Sequence, residues 1–201
     1  MSPYEPGLSM LTQSAPCQNA EKEIQCFSRI HVLLYSLLLP SANDAAMAIA
    51  QNYPGGENTF IDKMNKMAQS LHFTNTHFGD PAGLLDEQNY TTVLDLARLA
   101  SVALKNKDFA KVVSTKQKSF SNVDGTVDYS IQNRNKLLDI DGVDGIKTGY
   151  TEEAGEVLVT SKVQNGHRLI TVVMGSEDRF LDTLTLFNLV SDKIIYRPIH
   201  L

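Results

Sequence analysis

Apolar residues recur with helical spacing in two long stretches of the chain, and each stretch predicts an amphipathic helix. The first stretch runs from Asn58 to Leu71, with Thr59 placed to cap it, and its apolar face holds Phe60, Ile61, Met64, Met67, Ala68 and Leu71. The second runs from Thr92 to Lys105, and its apolar face holds Val93, Leu96, Ala97, Leu99, Ala100 and Ala103. Stripes of this kind are typical of core packing.

Three further stretches predict helices. Val32 to Leu39 predicts a short buried helix that leads into Ser41, and Ser41 to Gln51 predicts a helix that Pro54-Gly55-Gly56 ends. Glu177 to Asp192 predicts a closing helix with Phe180, Leu184, Phe187 and Val190 on one side.

Between these helices the pattern changes to strands. Ser119 to Val123 and Thr126 to Ile131 predict a hairpin around Asp124-Gly125. Val157 to Val163 and Arg168 to Met174 predict a second hairpin, joined through Asn165-Gly166. Helices, then strands, then a helix predict an α+β fold in which a helical lobe packs against an antiparallel sheet.

Composition narrows the range of functions. A chain of 201 residues can bury one core and a lobe. A net charge of −5 gives no electrostatic case for nucleic acid. We expect no membrane anchor, because no apolar run approaches the ~20 residues needed to span a bilayer, and no export signal opens the chain.

The first 30 residues show no clear period and predict a poorly ordered segment, separate from a domain over 31–201. Cys17 and Cys26 both lie in this segment, where a disulfide between them is an open alternative. Neither the cysteines nor the five histidines have metal-ligand spacing, so we expect no metal and no cofactor.

Two short motifs carry the chemistry. Lys147-Thr148-Gly149 lies within Val143–Thr151, and Ser41-Ala42-Asn43 follows Leu37-Leu38-Leu39-Pro40. Together they resemble the second and third motifs of the active-site serine penicillin-recognising enzymes. The surrounding sequence, from about Leu33 to Val190, resembles that of the low-molecular-weight D-alanyl-D-alanine carboxypeptidases. It includes Asn75-Thr76-His77-Phe78, Pro81-Ala82-Gly83-Leu84, Tyr90-Thr91-Thr92, Asp95-Leu96-Ala97 and Asn133-Arg134-Asn135-Lys136-Leu137-Leu138.

The first motif of that family, Ser-x-x-Lys, is absent from this sequence. No serine has a lysine three positions later; Ser28 is followed by His31, and Ser41 by Asp44. We therefore expect no nucleophile in this chain and predict a family member whose front third is lost or replaced. The resemblance then implies a partial β-lactamase/transpeptidase-like fold, without the N-terminal strands, the Ser-x-x-Lys helix, the second β-rich domain or the C-terminal anchor.

The resemblance assigns catalytic roles to three residues. Ser41 relays a proton to the leaving group, and Asn43 holds the substrate backbone. Lys147 supplies fixed positive charge for the terminal carboxylate of the substrate and for the proton relay.

The remaining candidates bind substrate. Thr148 offers a hydroxyl to the carboxylate, Gly149 leaves room for an extended peptide, and the Tyr150 backbone N–H forms half of an oxyanion hole. Arg179, and less directly Arg134, add positive charge beside the cleft.

Each candidate also has a simpler interpretation. Ser41 begins a Ser-x-x-Asp pattern and can serve as a helix cap. Lys147 can be a solvated strand lysine, and Arg179 can form a surface ion pair with Asp178 or Asp182.

The resemblance implies a serine-type carboxypeptidase that acts on peptidoglycan stem peptides ending in D-Ala-D-Ala, binds β-lactams and resides in the cell envelope. The alternative is a non-catalytic remnant or a module that binds in the same cleft. A β-lactamase is disfavoured, because no Glu-x-x-Leu-Asn segment is present to activate a deacylating water.

Overall fold

In a computed structural model of the protein, most helices precede the strands and one follows them. The structure describes residues 30–84, 87–121, 126, 128–191 and 193–194. The described part of the first helix, α1, covers residues 30–38. The remaining helices are α2 (Asn43–Gln51), α3 (Gly56–Ser70), α4 (Val93–Ala103), α5 (Lys107–Val113), a 3-10 turn (Lys136–Asp139) and α6 (Arg179–Ser191).

Among the described residues, five strands form two antiparallel sheets. A hairpin pairs β1 (Gln117–Ser121) with β2 (Asp128–Gln132). The main sheet has the order β3-β4-β5, with β3 over Val143–Thr151, β4 over Gly155–Gln164 and β5 over His167–Ser176. Its register places Lys147 opposite Val159 and Tyr150 opposite Glu156. Within the described residues, β3 and β5 are therefore the edge strands.

Helices cover both faces of the main sheet. Side chains of a strand alternate between faces, so the neighbours Leu158 and Val159 enter different cores. Leu158 packs with Leu137, Leu138, Val143 and Phe187 on the α6 side. Val159 packs with Ala100, Val113 and Ile146 on the side of α4 and α5. The sheet thus fixes the β3 backbone that carries the Lys-Thr-Gly motif.

The predicted α+β architecture is confirmed, and every predicted helix and strand has a counterpart in the described residues. The capping residue of α3 was predicted wrongly: its N-cap is Gly55, and the Thr59 hydroxyl donates back to the Gly55 carbonyl. The pattern of apolar residues predicted neither α5, a seven-residue helix capped by the Asn106 side chain, nor the strand β3. The Asp124-Gly125 turn, the cysteine pair and nearly all of segment 1–30 lie outside the described residues.

Candidate active site

Ser41 lies in the tight turn between α1 and α2. The Ala42 N–H donates to the Ser36 carbonyl at 3.0 Å, and the Arg134 N–H donates to the Leu39 carbonyl at 3.1 Å. These bonds hold Ser41 at a φ of 64°, in the left-handed region that non-glycine residues seldom adopt. The hydroxyl is therefore positioned by its own turn and by a distant part of the chain.

The helix-cap interpretation of Ser41 is wrong. The N-cap of α2 is Ala42, and no side chain caps this helix. The Asp44 carboxylate, which would complete a capping box, instead accepts from the neighbouring Ala45 N–H at 2.9 Å. The Ser41 hydroxyl is thus available for contacts outside α2.

Lys147 reaches from the edge strand β3 to this turn. Its Nζ lies 2.7 Å from the Ser41 Oγ and 2.6 Å from the Thr148 carbonyl oxygen. The two motifs identified in the sequence therefore meet through a direct hydrogen bond. This contact also contradicts the alternative of a freely solvated strand lysine.

The ammonium group of Lys147 is destabilised by its surroundings. Burial, followed by the positive charges of Arg134 and then Arg179, lowers its pKa from 10.5 to about 8. Burial acts because a charged group loses hydration, and the arginines act by repulsion between like charges. Near neutral pH this lysine is consequently much easier to deprotonate than an ordinary one.

The contribution of Arg134 can be tested by titration. Arg134→Gln is expected to raise the pKa of Lys147, because it removes a positive charge that disfavours the ammonium form. The measurement is a pH titration of 13C-methylated lysines by NMR, with the Lys147 signal identified by its loss in Lys147→Arg. Lys136→Gln, an equal charge change in the same segment, serves as the control. Equal shifts in the two variants, or none in Arg134→Gln, would contradict this origin.

Arg179 begins α6 and bonds to the same strand. Its Nη1 donates to the Gly149 carbonyl at 2.7 Å, and its Nη2 lies 3.7 Å from the Glu156 Oε1. The backbone N–H of Arg179 also donates to Glu156, at 3.0 Å. The predicted ion pair with Asp178 or Asp182 is wrong. Asp178 instead accepts from two N–H groups in the first turn of α6, and Asp182 accepts from Ser176.

Asparagine side chains fix the segment that carries Arg134. The Asn133 amide donates to the carbonyls of Val113 and Thr115, and the buried Asn135 amide donates to the Gly145 carbonyl at 2.9 Å. The segment is thereby tied to the end of α5 and to the start of β3. Arg134 itself is exposed between these two anchors, where its charge acts on Lys147.

Thr148, Gly149 and the following residue Tyr150 have three different environments. Thr148 is buried, with 5% of its surface exposed. A Cβ added at Gly149 would lie 3.6 Å from the Val157 Cβ, which is ordinary contact, so packing within the chain does not require glycine there. Tyr150 is 65% exposed.

Asn43 and Glu156 show the limits of motif reasoning. Asn43 occupies the first turn of α2 with an exposed side chain and has no hydrogen bond to a described side chain. Glu156 contacts both the backbone N–H and the guanidinium of Arg179, although no role for it was predicted from the sequence. No signal in the sequence pointed to this role, because the β3–β4 register that places Glu156 opposite Tyr150 is set by the fold.

A cleft of about 670 Å³ lies beside the Lys147 site and shares Arg134 and Arg179 with it. Its wall carries charges of both signs, and its lining residues are Gln132, Asn133, Arg134, Lys136, Glu156, Glu177, Asp178, Arg179 and Phe180. Within the described residues, no group of three His, Cys, Asp or Glu side chains is placed to hold a metal ion.

Comparison with known proteins identifies the family of this chain. The family model for D-alanyl-D-alanine carboxypeptidases matches residues 18–178. The chain belongs to this family. D-alanyl-D-alanine carboxypeptidase DacF of Bacillus subtilis (strain 168) is 36% identical over 145 residues, which make up 72% of this chain and 37% of DacF. The D-alanyl-D-alanine carboxypeptidase of Streptomyces sp. (strain K15) is 37% identical over 158 residues, 73% of this chain and 54% of that enzyme.

The fold of this carboxypeptidase family member is shared with a solved relative. The crystal structure of the Streptomyces K15 DD-transpeptidase superposes with a TM-score of 0.75 at 37% identity, covering 79% of this chain and 66% of that one. The chain thus spans between about a third and two thirds of the length of these relatives.

The family match begins before the predicted boundary between residues 30 and 31. The match begins at residue 18, within the segment over 1–30 that sequence analysis set apart, so the family resemblance starts earlier than was predicted. The division into 1–30 and 31–201 stays a prediction. In the part of the chain that the structure describes, no helix is both long and apolar enough to cross a bilayer.

Proposed function

We propose that this chain forms one wall of a serine-type D-Ala-D-Ala carboxypeptidase site that acts on peptidoglycan stem peptides in the cell envelope. The observation that carries the proposal is the 2.7 Å hydrogen bond between Lys147 and Ser41, which joins the two motifs. Family membership supports the reaction type, and the positive charge at Lys147, Arg134 and Arg179 suits a substrate with a terminal carboxylate.

In this proposal each residue has a task on the substrate. Lys147 and the Thr148 hydroxyl bind the terminal carboxylate, while Asn43 holds the peptide backbone. Gly149 lets an extended peptide lie along β3, and the adjacent Tyr150 N–H stabilises the oxyanion. Ser41 passes a proton to the departing D-alanine, and Arg179 keeps the end of β3 in place through the Gly149 carbonyl.

A second candidate function follows from the sequence itself. The cleft residues are present, but no Ser-x-x-Lys stands in the 201 residues. We therefore keep the proposal that the chain, by itself, is a non-catalytic remnant or a module that binds stem peptides or β-lactams. The two functions differ in whether an acyl-enzyme forms.

Labelling with a penicillin tests both proposals. The chain by itself is expected to show no penicilloyl adduct by intact mass, because it lacks the Ser-x-x-Lys serine that the family uses against penicillins, and only binding and oxyanion effects remain. A chimera that joins residues 32–201 to the preceding segment of the Streptomyces sp. K15 enzyme is expected to gain one adduct on the serine of that segment. A folded chimera without an adduct would contradict the proposal of a carboxypeptidase site. A stoichiometric adduct on the chain alone would contradict the proposal that the chain by itself does not react with penicillin.

A further inference from the structure

Ser41 and Lys147 form a pair that is complete within this chain. Their Oγ and Nζ atoms are 2.7 Å apart, within the range at which a proton passes between a nucleophile and its base. Serine–lysine pairs perform nucleophilic catalysis on unrelated folds. We propose that Ser41 is a nucleophile and Lys147 its general base, and that this pair attacks small activated aryl esters. This activity goes beyond the proposed function, in which Ser41 only passes a proton.

The Ser41 hydroxyl is held in place by its backbone. Ser41 adopts a φ of 64°, a conformation that persists in a non-glycine residue when the surrounding structure holds it. Here the carbonyl of the buried Ser36 accepts from the Ala42 N–H, and the Leu39 carbonyl accepts from the Arg134 N–H. A fixed nucleophile lowers the entropic cost of reaching the reactive geometry.

The start of α2 favours negative charge beside Ser41. The first backbone N–H groups of a helix, here at Asn43 and Asp44, have no intrahelical acceptor, and no side chain caps them. They form the positive end of the helix dipole, which stabilises a developing alkoxide or oxyanion. The Asp44 carboxylate opposes this effect, although its Oδ1 already accepts from the Ala45 N–H.

Lys147 is suited to act as the base. The Thr148 carbonyl accepts from Nζ at 2.6 Å and orients the amine toward Ser41. Burial and the charges of Arg134 and Arg179 lower the pKa of Lys147 to about 8, so a large fraction of the amine is neutral in mildly alkaline buffer. A base is most effective when its pKa is close to the working pH.

The proposed step is balanced within the pair and the ester. The Ser41 oxygen forms a bond to the carbonyl carbon while its proton moves to the Lys147 amine. The ester C–O bond then breaks, and the aryl oxide leaves with the electron pair. An aryl ester suits this pair because its oxide leaves without a proton from an acid. The product is an acyl ester on Ser41, and the lysine returns its proton to water.

The test uses the full chain and p-nitrophenyl acetate, with nitrophenolate release and peptide mapping as readouts. We expect acetylation of Ser41, with a rate that rises with pH and levels off above about pH 8. Ser41→Ala is expected to abolish this adduct, and Ser41→Cys to restore it as a thioester. Ser114→Ala, which removes an exposed serine, is the matched control and should leave the rate unchanged.

Lys147→Arg shows whether Lys147 acts as a general base or only as a fixed positive charge. Arginine keeps the charge but does not give up its proton in proteins, so the acetylation rate is expected to fall by about 100-fold or more. Acetyl on Lys147 instead of Ser41, an unchanged rate in Lys147→Arg, or no adduct on a chain that circular dichroism shows to be folded would each overturn the proposal. None of these outcomes affects the penicillin labelling of the chimera, so the two proposals fail separately.

Discussion

In the chimera that carries a Ser-x-x-Lys segment, Lys147→Ala is expected to lower kcat/KM for a peptide ending in D-Ala-D-Ala by about 100-fold or more. The expectation rests on position: Nζ is fixed between the Ser41 hydroxyl and the Thr148 carbonyl. A preorganised charge of this kind needs no reorganisation during the reaction, so its loss is felt mainly in the transition state. The measurement is the rate of D-alanine release over a range of peptide concentrations.

Two comparisons sharpen this experiment. Lys136→Ala removes an exposed positive charge from the wall of the neighbouring cleft and should change kcat/KM little. Lys147→Arg keeps the charge and should retain more activity than Lys147→Ala if the lysine acts chiefly on the substrate carboxylate. An unchanged rate in Lys147→Ala would show that Lys147 is only a strand residue.

The residues of the candidate site could be identified from the sequence, but their contacts with one another could not. Lys147 and Ser41 were found by their motifs, but their distance depends on how β3 packs beside the turn after α1. That packing is long-range, set by the 3.1 Å bond from Arg134 to Leu39 and by the asparagines around it. No local pattern records such a contact, so the sequence could not distinguish a solvated lysine from one that bonds to Ser41.

Arg179 shows the same limit in another form. Residues near in sequence suggested Asp178 or Asp182 as its partner, whereas the fold delivers Glu156 from the start of β4. The register of the sheet brings that residue to the first turn of α6, where Asp178 is already engaged as a cap. Secondary structure was easier to predict from the sequence than these contacts, because the periodicity of apolar residues is a local property of the chain. The exceptions were α5, whose seven residues are too few to show a clear helical period, and β3, whose apolar residues do not alternate regularly with polar ones.

The chain in isolation is expected to be marginally stable or to self-associate. The predicted apolar face of α3 buries only Ala68 among the described residues, and Met67 is 48% exposed. On α4, Val93 and Leu94 are 50% and 56% exposed. Each large side chain left in water forgoes roughly 1.5–3 kcal/mol, while net stabilities are only about 5–15 kcal/mol. A few such residues are therefore enough to remove much of the margin.

Two routes to association can be separated by analytical ultracentrifugation. The outer edge of β5 has no strand partner among the described residues and carries Met174, so Met174→Lys is expected to weaken association through strand pairing. Leu94→Glu is expected to weaken association through the apolar side chains that are exposed at the start of α4. Gln69→Glu adds the same charge as Leu94→Glu at an exposed polar position and serves as the control. The prediction would be contradicted if the wild-type chain were monomeric and melted cooperatively above ~55 °C, which is within the mesophile range. The exposed apolar side chains would then have little effect on the free energy of unfolding.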